Sequence, residues 1–236
     1  MLHTLGLGLC AFLFVSPSIA RAQDNSAVID KRRIPAEADD VKKFAPAGWK
    51  IEEQVAADLN GDSLPDYALK LVEDKPEKDK DGDVTERARA LIIVLKNKEG
   101  KLSLAGVADK LLQCTRCGGA FYGVVESPAN VKIEKGVIVV EQDHGSRNLT
   151  DTTYRFRYDP ETQRFILIGF DFSDADRLTA ATVSESTNYL TGVRVVKRGK
   201  GDRDTTSRAQ IPRKKVYLEQ VSSGDFEEAA GKRLHL

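Results

Sequence analysis

Between Trp49 and Phe172 short apolar stretches alternate with turn signals at the period of β structure, not of helix. Tyr154, Phe156 and Tyr158 alternate with Thr153, Arg155 and Arg157, the pattern of a strand buried on one face. Leu91 to Leu95 is instead apolar without interruption, as in a central strand covered on both faces. Strands are predicted over residues 50–57, 66–72, 88–95, 102–108, 130–133, 137–141, 152–158 and 164–172. Between them, Lys98-Glu99-Gly100, Glu134-Lys135-Gly136 and Asp159-Pro160-Glu161 supply turn chemistry. The connections are too short for parallel crossovers, so the strands pair as an antiparallel meander. The fold class is all-β: a sandwich, a strongly curved sheet or a partial propeller. Helices are at most short, with one expected near residues 36–44.

Outside this region the pattern weakens. Residues 23–40 are polar and include Lys31-Arg32-Arg33, which reads as a mobile tail. After Asp174, residues 193–196 and 215–221 still look like strands, and the charged stretch 197–215 between them reads as a long exposed loop. At the other end, Leu5 to Val15 is an apolar run followed by Ala20-Arg21-Ala22, a small-x-small cleavage pattern. This predicts a secretory leader over residues 1–22 and a periplasmic or secreted protein. The run is shorter than the about 20 apolar residues a membrane-spanning helix needs. The expected organisation is therefore a leader (1–22), a tail with a short helix (23–48) and one β-rich domain (49–236).

Charge adds one exclusion. Cleavage after Ala22 removes Arg21 and no acidic residue, leaving 35 basic and 36 acidic side chains, so overall charge gives no support to a nucleic-acid partner. The excess is local. Nine basic residues lie between Arg194 and Lys215, and Lys197, Arg198, Lys214 and Lys215 are candidates for binding an anionic polymer or an envelope protein. No aromatic residue that could stack on bases accompanies the charged stretch 197–215.

The most specific chemistry is in Asp58-Leu59-Asn60-Gly61-Asp62-Ser63-Leu64-Pro65-Asp66. Oxygen-bearing side chains fall at relative positions 1, 3, 5 and 9, the spacing of a calcium loop. Ca²⁺ takes about 6–8 oxygen ligands, and alternate side chains of a looped backbone can converge on one point. Asp58, Asn60, Asp62 and Asp66 would offer side-chain oxygens, and Leu64 its carbonyl. With the strand Tyr67-Ala68-Leu69-Lys70-Leu71 after it, the loop resembles the FG-GAP/VCBS class found in integrin-like propeller repeats and many secreted bacterial proteins. The resemblance implies a loop joining two antiparallel strands that Ca²⁺ rigidifies. Ser63 stands where that class usually has glycine. The order of further motifs, among them Leu167-Ile168-Gly169 and Ser186-Thr187-Asn188-Tyr189, is similar to exported bacterial proteins of unassigned function.

Other motifs read more plainly. Asp79-Lys80-Asp81-Gly82-Asp83 alternates carboxylates, but Arg87 stands where a closing acid belongs, so a solvated hairpin turn is expected. Cys114 and Cys117 have C-x-x-C spacing; in an oxidising compartment a local disulfide is expected, since no second cysteine pair exists to complete a zinc site. Asp143-His144-Gly145-Ser146 places an acid, an imidazole and a hydroxyl together, yet neighbours on a strand point to opposite faces, so adjacency does not make a triad. The expectation is an exported, calcium-stabilised β-protein with a binding or envelope-associated role and no catalysis. The alternatives are a hydrolase of an envelope polymer with convergent carboxylates in a cleft, and a structural subunit of a surface complex.

Overall fold

The computed structural model describes residues 28–201 and 203–236; the expected leader lies outside them. Two antiparallel sheets face each other as a sandwich. The first has the order β1-β5-β4-β3-β2 and is built from β1 (Glu37–Ala38), β2 (Trp49–Ala57), β3 (Asp66–Glu73), β4 (Arg89–Lys96) and β5 (Leu102–Ala108). The second runs consecutively from β6 to β12: β6 (Asn130–Glu134), β7 (Val137–Gly145), β8 (Asn148–Asp159), β9 (Arg164–Asp176), β10 (Ala181–Asn188), β11 (Val193–Lys200) and β12 (Arg203–Gln210). One α-helix, α1 (Ser223–Leu234), follows. The sandwich replaces the curved-sheet and propeller alternatives.

Strand alternation explains the layering. Leu91 and Ile93 of β4 meet Ile138, Val140, Tyr154, Phe156, Phe170 and Phe172 between the sheets. The opposite side of β4, with Ala90, Ile92 and Val94, forms a second core with Leu69, Leu71 and Val107. That double burial is what the unbroken run 91–95 requires.

The cover of this second core corrects the expected tail. Ile29, Ile34 and Phe44 are buried on it, and β1 pairs with β5 through Glu37 and Ala38. Three large side chains contribute about 1.5–3 kcal/mol each when buried, more than exposed polar neighbours can oppose. The helix expected near residues 36–44 is a single 3-10 turn, Val41–Phe44, whose first turn is capped by Asp40 accepting the Lys42 N–H at 2.9 Å.

The C-terminal third needs two corrections. The stretch 197–215 is not one long loop, because β11 and β12 pair as a hairpin from Val193↔Gln210 to Lys200↔Arg203. Residues 215–221 are not a strand: Tyr217 makes an isolated bridge to Ile166, and a 3-10 turn, Leu218–Gln220, follows. Beyond these, α1 is a short helix, as the all-β fold class allows, and it caps the inner face of the second sheet. Phe226 lies edge-on to Tyr154 and Phe170, with ring centroids 6.0 and 5.3 Å apart, and Ala230 and Leu234 are buried beside it.

Candidate functional site

The aspartate-rich loop connects β2 to β3, and its two ends are themselves a register pair, Ala57↔Asp66. Its side chains turn inward onto its own amides. Asp58 accepts the N–H of Gly61 at 2.7 Å and of Ser63 at 2.8 Å; Asn60 accepts that of Asp62 at 3.0 Å; Asp62 accepts that of Leu64 at 2.8 Å. Asn60 also donates its side-chain amide to Asp62 at 3.1 Å. Asp66 is fully buried and accepts the N–H of Leu59 and of Lys96, both at 2.9 Å, which ties the loop to the end of β4.

These bonds bring carboxylate oxygens of Asp58, Asp62 and Asp66 within 4.8 Å of one another. Their electrostatics differ. The amides of Ser63 and Gly61 hold the Asp58 carboxyl below its usual range. Burial pushes Asp66 up against the pull of the Lys96 and Leu59 amides, and the neighbouring Asp62 and Asp58 charges push the same way. Three like charges at this spacing repel one another unless a cation or a proton intervenes. The loop must also turn sharply, which Gly61 (φ +87°) does freely and Ser63 (φ +66°) does against its Cβ. Asp58 to Gly61 lie beside Lys135, Gly136, Arg157, Tyr158 and Pro160 around a recess of about 400 Å³, so the loop sits where the first sheet meets the turn ends of the second.

The other sequence candidates fall elsewhere. Cys114 and Cys117 form a disulfide with Cα atoms 5.1 Å apart. Asp79 accepts the N–H of Asp81 and Asp83 in an exposed turn closed by the Lys78↔Val84 bridge. Lys197 and Arg198 are neighbours on β11 and so point to opposite faces. Arg198 donates to the Leu234 carbonyl at the end of α1 (2.9 Å), and Lys215 pairs with Asp159 (2.7 Å) and Glu161 (2.9 Å), while Lys214 stays exposed. The four basic residues therefore do not share one surface.

His144, at the end of β7, pairs through Nε2 with Glu227 of α1 at 2.8 Å, and that carboxylate raises the imidazole's pKa against the effect of its burial. Asp143, on the opposite face of β7, takes the hydroxyl of Tyr122, whose pKa burial and this bond push up to about 12. His144 and Glu227 line a cleft of about 500 Å³ with Asp109, Gln113, Cys114 and Cys117. The two acids there each have a basic partner, Glu227 the His144 imidazole at 2.8 Å and Asp109 the Lys31 ammonium at 3.0 Å.

No family model, curated protein or solved structure matches this chain. Two residues of the second sheet's helix contacts, Glu227 and Arg233, escape the motif reading, because α1 has only Phe226, Ala229, Ala230 and Leu234 as apolar positions. A signal was present: Ser222 caps the Asp225 N–H at 3.4 Å, and Lys232 and Arg233 stand in the last turn.

Proposed function

We propose that this chain is an exported β-sandwich clamped by one Ca²⁺ in the Asp58–Asp66 loop, with a binding role at the cell envelope. The observation that carries it is the convergence of three carboxylates, one of them fully buried, where the two sheets meet. The donor set is all oxygen, as a hard cation requires. Asp58, Asp62 and Asp66 would hold the ion, with Asn60 and the Leu64 carbonyl completing the set as in the FG-GAP/VCBS-like loops it resembles. Each carboxylate oxygen that accepts an amide keeps a second lone-pair direction for a metal. Asp62 is exposed, which leaves an entry path.

A binding role is favoured over hydrolysis of an envelope polymer because Asp109 and Glu227, the acids lining the about 500 Å³ cleft, are each engaged by a separate basic side chain, Lys31 and His144, rather than left free to act as an acid and a base. No helix among the described residues is long and apolar enough to cross a membrane. The deciding experiment is a pull-down from the native envelope with the mature protein, in calcium and in chelator. Partners recovered only in calcium support the role; no recovery from envelope in either condition overturns it.

A further inference from the structure

The loop between the disulfide and β6 is held rigidly yet presents apolar side chains to water. Phe121 is 44 % exposed, Val125 58 % and Val124 76 %. Loose packing does not explain this, because the segment is anchored at many points. The Cys114–Cys117 disulfide closes its start. Ser127 donates its N–H to Thr115 (2.9 Å) and its hydroxyl to Cys114 (2.7 Å), and the Gly145 N–H reaches the Gly118 carbonyl at 2.9 Å. Tyr122 is bonded to Asp143, and the buried Arg89 grips the Ser127 carbonyl at 2.8 Å. Gly118 is packed so closely that a Cβ there would come 2.5 Å from the Tyr122 ring.

A second turn joins this tip. The Arg177 guanidinium carbon lies 5.0 Å from the centroid of the Phe121 ring, and the next residue, Leu178, is 78 % exposed. Four of the large apolar side chains left exposed among the described residues are thus presented by two neighbouring loops at one end of the second sheet. The charges around them are sorted. Arg116 and Arg177 are exposed with no acid paired to them among the described residues, whereas the nearby acids are engaged: Asp174 is buried and accepts from Asn148 and Thr150, Asp176 is neutralised by Arg147 at 2.6 Å, and Glu126 is bound by Arg87 and Arg89.

We propose that this tip, Phe121, Val124, Val125 and Leu178 with the exposed Arg116 and Arg177, docks on a lipid surface bearing anionic headgroups. Protruding apolar side chains suit insertion at a bilayer interface, where each gains by leaving water without a matching pocket. Arginine around them complements phosphate at the same depth. The tip lies at the opposite end of β7 from the turn beside the calcium loop. Nine strand residues, about 30 Å, separate the two, so lipid docking and ion binding can fail separately.

The test is co-sedimentation of the mature protein with phosphatidylcholine vesicles, with and without phosphatidylglycerol. Binding is expected to the anionic vesicles and to weaken with salt. Replacing Val124→Asp and Val125→Asp together is expected to reduce it about tenfold or more, while Val28→Asp, at an exposed apolar site in the N-terminal segment, leaves it unchanged. In a separate variant, Val125→Trp, the new indole should shift its emission to the blue on vesicles, a readout that does not depend on losing binding. No binding by the wild type, or equal binding by the double variant, overturns the proposal; the first result would point to a protein as the occupant.

Discussion

Glu185 on β10 and Arg233 on α1 form a two-pronged ion pair, Nε to Oε2 at 2.9 Å and Nη2 to Oε1 at 2.6 Å, with the carboxylate wholly buried and Arg194 at 3.3 Å completing its neutralisation. This pair fastens the helix to a strand whose buried positions, Val183, Glu185 and Thr187, include a single apolar side chain. Glu185→Ala leaves two arginines facing an emptied pocket and should cost about 3 kcal/mol in denaturant unfolding. Replacing Glu185 by Leu with both Arg233 and Arg194 by Met should restore much of that, since an apolar cluster of similar volume carries no desolvation cost. A single Glu185→Ala variant as stable as wild type would show that α1 is held by Phe226, Ala230 and Leu234 alone.

The His144–Glu227 pair should make the helix contact depend on pH. Its imidazole has a folded pKa raised above the ordinary 6.5 by Glu227, so the stabilisation is fully present below 6.5 and is lost as pH rises through the folded value. Asp143 and Asp151 add to the rise. Stability measured from pH 6 upward should therefore fall by up to ~1 kcal/mol in wild type, and Glu227→Gln should flatten the profile. An identical slope in that variant would place the titration elsewhere.

Removal of different loop acids should separate scaffold from ion. Asp66→Ala orphans the amides of Leu59 and Lys96 and should destabilise by about 2 kcal/mol in chelator as well as in calcium. Asp62→Ala should cost little in chelator, because Asp62 is exposed and its Leu64 amide can turn to water. Equal effects of the two in chelator would contradict this division. Ser63→Gly relieves a positive φ and should add about 1 kcal/mol, read from the same unfolding curves.

The disulfide closes a very small loop and should contribute about 2 kcal/mol or less through chain entropy. Mass spectrometry of the unreduced mature protein should show no free thiol at Cys114 or Cys117. Two free thiols, or stoichiometric zinc, would refute that pairing.

How much of this was legible in the sequence follows from where apolar alternation survives. In β8, Tyr154 and Phe156 announce the strand and its buried face; in β4, the unbroken run announces two covered faces. β10 hides because Glu185 and Thr187 occupy inward positions, a substitution that makes sense only once Arg233 is placed opposite. β12 is exposed along its whole length, so no alternation can mark it, and only pairing with β11 makes it a strand. The N-terminal cover relies on Ile29, Ile34 and Phe44, spaced by no period. The loop spacing placed Asp58, Asp62 and Asp66 together, but the left-handed backbone at Ser63 (φ +66°) is not marked by a glycine. Burial of Asp66 and its bond to Lys96 lay beyond sequence, because that partner arrives from β4.

Thermal unfolding of the mature protein in saturating calcium and in chelator is the most direct test of the clamped sandwich. A ligand that binds only the native state at a hundredfold its dissociation constant adds about 2.7 kcal/mol. For a domain of this size that corresponds to a Tm rise of about 5–10 °C. The rise should be absent in Asp62→Ala. Superimposable wild-type curves in calcium and chelator would contradict a bound ion and leave the loop as a turn whose carboxylates serve only its own amides.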